Sequence, residues 1–68
     1  MMSAKIEERR TEMRFRVMVC RLINGETWDE EYSGIYHYTR ITAEEELIAA
    51  RYHTADDPTV QYCYIDYK

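Results

Sequence analysis

Residues 41–53 read I-T-A-E-E-E-L-I-A-A-R-Y-H, and the rest of the chain is organised around them. Thr42 followed three residues later by Glu45 is the pattern of a capping box. The threonine oxygen takes an orphan amide of the first turn, and the glutamate reaches back to the amide of Thr42. Three acids early and Arg51 and His53 late suit the helix dipole. One main helix is therefore predicted over 42–53. Ala43, Leu47 and Ala50 form a narrow stripe of mostly small residues, which lets a sheet approach closely. Ile48 and Tyr52 form a second stripe on another side, to be covered by the amino-terminal arm or by another chain.

Upstream, Met13 to Ile23 alternates as a strand. Phe15, Val17 and Val19 share one face; Arg14, Arg16, Met18, Cys20 and Leu22 share the other. A strand apolar on both sides along its second half is a central one. Asn24-Gly25 follows, and both residues accept the positive φ of a type I′ hairpin turn. The returning strand is predicted over about 26–40, with a bulge at Ser33-Gly34. Its acids face Arg14, Arg16 and Arg21, and cross-strand charge pairing helps to set the register.

Downstream, Ala55-Asp56-Asp57-Pro58 reads as a turn. Residues 59–67 form the last strand, with Val60, Tyr62 and Tyr64 on one face and Gln61, Cys63 and Ile65 on the other. A right-handed crossover through the helix sets the last strand parallel to the second, with the first between them. The expected fold is α+β: a three-stranded antiparallel sheet in order 2-1-3, topology ββαβ, with one helix on one face. The other face is left with tyrosines, Met18 and Cys20 and nothing to cover it. Residues 1–12 read as an arm or short helix, and 13–68 as one domain.

Sixty-eight residues sit near the lower limit for a self-sufficient core, burying only about 60% of the unfolded surface. Seven tyrosines against one Phe and one Trp favour half-buried faces over a deep core. A dimer, or docking on a partner, completes such a domain. The net charge of −4 is polarised. Met1 to Leu22 holds six basic and three acidic residues, whereas Ile23 to Lys68 holds three basic and ten acidic. Acidity argues against membrane and direct nucleic-acid binding, which need basic surface, and favours a basic protein partner. With no apolar run of membrane-spanning length, no signal peptide and only two cysteines, the expected location is the cytoplasm, with both thiols reduced.

Chemistry-bearing residues are scattered. Cys20, Cys63, His37 and His53 lack the paired spacing of a metal site, so neither metal nor cofactor is expected. His53 at a helix end and Asp56-Asp57 before proline are accounted for by the dipole and the turn. A sheet with one helix offers no cleft for a nucleophile, and the chain is not read as an enzyme. Tyrosines on a sheet also stack single-stranded bases elsewhere, but those platforms carry a basic surround. The acidic groups 29–31, 44–46 and 56–57 imitate a phosphate track only if they share one face.

The Asn24-Gly25 hairpin, the strand leading into Thr42-Ala43-Glu44-Glu45 and the tyrosine-rich strand after Asp57-Pro58 give residues 13–67 a resemblance in architecture. They are similar to small acidic phage- and mobile-element-encoded proteins, most of all anti-CRISPR inhibitors of type I surveillance complexes. The resemblance implies a non-catalytic, phage-encoded inhibitor in the host cell, covering the basic, nucleic-acid-binding surface of a host complex. The contact residues are then Asp29, Glu30, Glu31 and tyrosines, among them Tyr32, Tyr36 and Tyr38; Trp28 joins them because it flanks the acids, with Tyr32, as a rigid aromatic anchor. The competing expectation is a self-assembling structural or accessory protein.

Overall fold

A computed structural model describes residues 14–67; the arm expected over 1–12 lies outside them. The elements are β1 (Phe15–Ile23), β2 (Glu26–Glu31), α1 (Arg40–His53) and β3 (Val60–Tyr67). The sheet order is β2-β1-β3, with both neighbouring pairs antiparallel, as the alternation and crossover predict. β1 is central and buried on both sides: Val17, Met18, Val19 and Cys20 are all buried. Asn24 (φ 53°) and Gly25 (φ 82°) take the left-handed conformations that a type I′ turn requires.

The core lies between the sheet and α1. Val17, Val19, Cys63 and Ala50 form it, with Tyr32, Leu47 and Val60 packed against them. Ala43 and Ala50 are both fully buried, so the small-residue stripe is the one that faces the sheet. Their methyl groups hold the helix close to β1 and β3, and little space remains between the layers.

Four expectations are corrected. First, α1 starts two residues earlier, at Arg40, and its cap is Thr39 (φ −122°, ψ 151°), three residues before the expected cap. The Thr39 hydroxyl accepts from the Thr42 amide at 3.3 Å. Thr42 thus sits inside the first turn, and that turn carries no acid. Tertiary contacts choose between the two threonines. His37 shares hydrogen bonds with the Thr42 hydroxyl (3.1 Å) and Glu46 Oε1 (2.9 Å), so the loop anchors on 42 and 46 from outside the helix.

Second, β2 ends at Glu31 and does not run to 40. Tyr32 still donates its amide to Val17 (2.9 Å), but Ser33-Gly34 is a break and not a bulge. The Ser33 hydroxyl accepts from the Ile35 amide (3.2 Å), and Gly34 takes φ 78°, which turns the chain off the sheet. Pairing returns only at His37, which exchanges two 2.7 Å backbone bonds with Phe15.

Third, Val60 does not share a face with Tyr62 and Tyr64. Tyr62 pairs with Cys20 but Val60 with Arg21, which makes Gln61 an extra residue on β3. That irregularity turns Val60 to the helix side, where it joins Cys63 in the core. Fourth, Met18 and Cys20 are 7% and 5% exposed, so the sheet face away from the helix is not bare. In register, Asp29, Cys20 and Tyr62 form one row across it, and Glu31, Met18 and Tyr64 the next.

Candidate partner-binding surface

Strand alternation splits the residues expected at an interface between two surfaces. Asp29 and Glu31 point away from the helix, in the rows of Cys20 and Met18. Trp28 and Glu30 point to the helix side, opposite Arg21 and Val19. The helix packs on β1 and β3, which leaves Trp28 56% exposed. Tyr32 packs against the core, and its hydroxyl shares a 2.8 Å hydrogen bond with His53 Nδ1. Tyr38 is 67% exposed in the loop before α1. Tyr36 returns to the face away from the helix, beneath two arginines.

Arg16 and Arg21 organise the charge. Arg16 donates to Glu31 (2.7 Å), to Asp66 through two nitrogens (2.9 and 3.0 Å) and to the Tyr36 hydroxyl (3.2 Å). Tyr36 in turn donates to Glu31 at 3.1 Å. The guanidinium of Arg14 lies 5.2 Å from the Tyr36 ring centre and that of Arg16 5.8 Å, both within cation–π range. The bond to Asp66 is the main reason that the Arg16 pKa rises above its ordinary value. Arg21 on the helix side donates to Asp57 (2.6 Å), Glu30 (2.7 Å) and Thr59 (2.8 Å). The bonds to Asp57 and Glu30 raise the Arg21 pKa above its ordinary value, and Arg21 pulls the Asp57 carboxyl down to about 2. Asp57 also accepts from the Thr59 amide and hydroxyl, closing the turn into β3.

Each of these two arginines therefore answers two carboxylates. Asp29, by contrast, has no ion pair among the described residues. It stands at the β2 edge of the face that carries Tyr62 and Tyr64. Those rings are 5.7 Å apart, and Tyr62 is 58% exposed. The Tyr62 phenol is raised above its ordinary pKa by a hydrogen bond with Cys20, with Asp29 adding to the shift. Tyr64 is raised by burial, again with Asp29 contributing. The result is a neutral aromatic floor bordered by a carboxylate that hydrogen-bonds to Tyr64 and has no ion pair among the described residues.

Of the seven expected contact residues, the structure brings Asp29, Glu31 and Tyr36 onto this face. It leaves Trp28, Glu30 and Tyr32 on the other side and Tyr38 in the loop. Tyr62 and Tyr64 share this face but were not among the seven, and Met18 and Cys20 lie buried in the same rows. Their signal was the period-two alternation of β1 and β3, which already set each pair on one face.

The acids do not form one continuous track. Cys20 and Cys63 are both free and lie on opposite faces, since Cys63 pairs with Val19, so their sulfurs do not meet. Among the described residues no three His, Cys, Asp or Glu side chains gather as a metal site. None of their helices is long and apolar enough to cross a membrane. Comparison with known proteins finds no matching family model, no similar curated protein and no similar solved structure.

Proposed function

We propose that this small α+β protein is a non-catalytic binder that occupies a basic, nucleic-acid-binding surface of a larger protein complex. The carrying observation is Asp29: a carboxylate with no ion pair among the described residues, beside the Tyr62–Tyr64 floor, on a sheet whose Arg16 and Arg21 are each already shared by two acids. A basic partner supplies the missing counter-charge, and rigid aromatic rings next to it make the desolvated contact that interface anchors use. Trp28 and Glu30 form at most a secondary contact, because they face the other way. The architectural resemblance to anti-CRISPR proteins supports reading the consequence of binding as inhibition. Free cysteines on opposite sheet faces fit a reducing, cytoplasmic setting.

The test uses purified type I surveillance complexes and their target DNA. Wild-type protein in slight excess abolishes DNA binding by a complex that it recognises. Asp29→Lys with Tyr62→Ala relieves that inhibition, whereas Trp28→Ala leaves it within about threefold. Unimpeded DNA binding across such complexes overturns the inhibitor reading. Inhibition lost with Trp28→Ala but kept in the double variant moves the contact to the other face. A second reading, self-assembly, is favoured by the exposed outer face of α1.

A further inference from the structure

The outer face of α1 is apolar where a small acidic domain should be polar. Ile41, Ile48 and Tyr52 are 71%, 66% and 80% exposed. At about 100° per residue they fall within about 40° of one another, half a turn around from Ala43 and Ala50. The stripe therefore points straight away from the sheet. Along one flank run Glu44 and Arg51. Arg51 has no ion pair among the described residues, and Glu44 has only the i,i+4 contact with Arg40 (2.9 Å), with both side chains mostly exposed.

We propose that this face pairs with the same face of a second copy of the chain, the two helices antiparallel about a two-fold axis near Glu46-Leu47. That symmetry joins like flank to like flank. It lays Ile41 along Tyr52 of the second copy, brings the two Ile48 side chains together at the axis and sets Glu44 against Arg51 twice. The charge pattern of a single helix is thus self-complementary in this orientation, and the uncommitted Arg51 acquires a partner. Glu45 lies in the same stripe and faces its own copy near the axis. Like charge there weakens the pair and keeps it a concentration-dependent dimer. The inference does not rest on the proposed function, which uses the opposite side of the molecule.

Sedimentation velocity of the full-length chain over a wide concentration range reads the association directly. The expected result is a monomer–dimer equilibrium that Ile48→Glu weakens by more than tenfold without lowering the melting temperature measured at concentrations where the chain is monomeric. Glu45→Leu tightens it by at least tenfold. Charge reversal tests the orientation. Glu44→Arg alone and Arg51→Glu alone each weaken self-association, because each sets like charges together twice. An equimolar mixture of the two variants recovers dimer, since both contacts become Arg against Glu. A monomer at all concentrations, with or without Glu45→Leu, overturns the proposal. So does a dimer indifferent to Ile48→Glu, or a mixture that fails to recover. A monomer that Ile48→Glu destabilises assigns the stripe to cover by the chain's own residues 1–13, and also overturns it.

Discussion

Replacing Thr39 by Ala removes the acceptor of the Thr42 amide and the partner of the Thr42 hydroxyl, at 3.3 and 3.0 Å. Loss of a threonine N-cap costs about 1 kcal/mol. In a domain of this size that lowers the melting temperature by about 4–8 °C. Thr42→Ala behaves differently. Its hydroxyl bonds, to the Thr39 carbonyl and hydroxyl and to His37, are exposed and are replaced by water. Alanine is also the better helix former by up to about 0.7 kcal/mol, so the two effects nearly cancel. The expected order of stability is Thr39→Asp at or above wild type, Thr42→Ala close to wild type, and Thr39→Ala lowest. Glu45→Gln leaves the melt unchanged, because Glu45 closes no capping box. Far-UV circular dichroism melts, with urea titrations of equal slope, read the series. If Thr42→Ala melts below Thr39→Ala, the helix begins at 43 and the capping argument made for Thr39 is wrong.

Four further outcomes follow from the structure. Arg16 and Glu31 should show a coupling of about 0.5–1 kcal/mol in a double-mutant cycle of Arg16→Met and Glu31→Gln, shrinking in high salt; no coupling at low salt contradicts the Arg16 cluster. Gly25→Ala should cost about 1 kcal/mol from backbone strain alone, because φ is +82° and nothing lies within 4 Å of the added methyl; a melt equal to wild type would show a different turn. The Asp57 carboxyl is lowered from 3.8 to about 2, so its contribution to stability is complete above pH 3.8 and fades as pH falls toward 2; Asp57→Asn should flatten the acid limb. Tyr62 and Tyr64 are raised above 10.0, so theirs is complete below pH 10 and fades as pH rises beyond it; Tyr62→Phe with Tyr64→Phe should flatten the alkaline limb.

The sheet was legible in the sequence because each of its signals is local and mutually consistent. Asn24-Gly25 fixes one antiparallel pair, the two-sided apolar run of β1 marks the centre, and the crossover rule places β3. The helix start was not legible, since Thr39 and Thr42 are both good caps at the right spacing. His37 decides between them through contacts that depend on Phe15, more than twenty residues away in the chain. The early end of β2 follows from hydrogen bonds of Ser33, to the Ile35 amide and to Glu46 on the helix, and the second of these is tertiary. At the surface, composition and charge placed the interest on β2, and strict alternation did split Asp29, Glu30 and Glu31 between faces. Which carboxylate stays unpaired depended on where Asp57 and Asp66 return to the sheet, and those partners are set only once β3 is in register.

β3 is an edge of the sheet among the described residues, and Val60–Tyr67 holds a single charged side chain, Asp66. An edge rich in aromatic and β-branched residues is a template on which foreign strands grow into aggregates. The extra residue at Gln61 interrupts that template. Edge amides and carbonyls change phase there, so an incoming strand in register with 62–67 is out of register with Val60 and Thr59. Deleting Gln61 would restore a continuous edge and at the same time turn Val60 out of the core. The irregularity that packs one valine thus also limits how far another chain can zip along this side of the molecule.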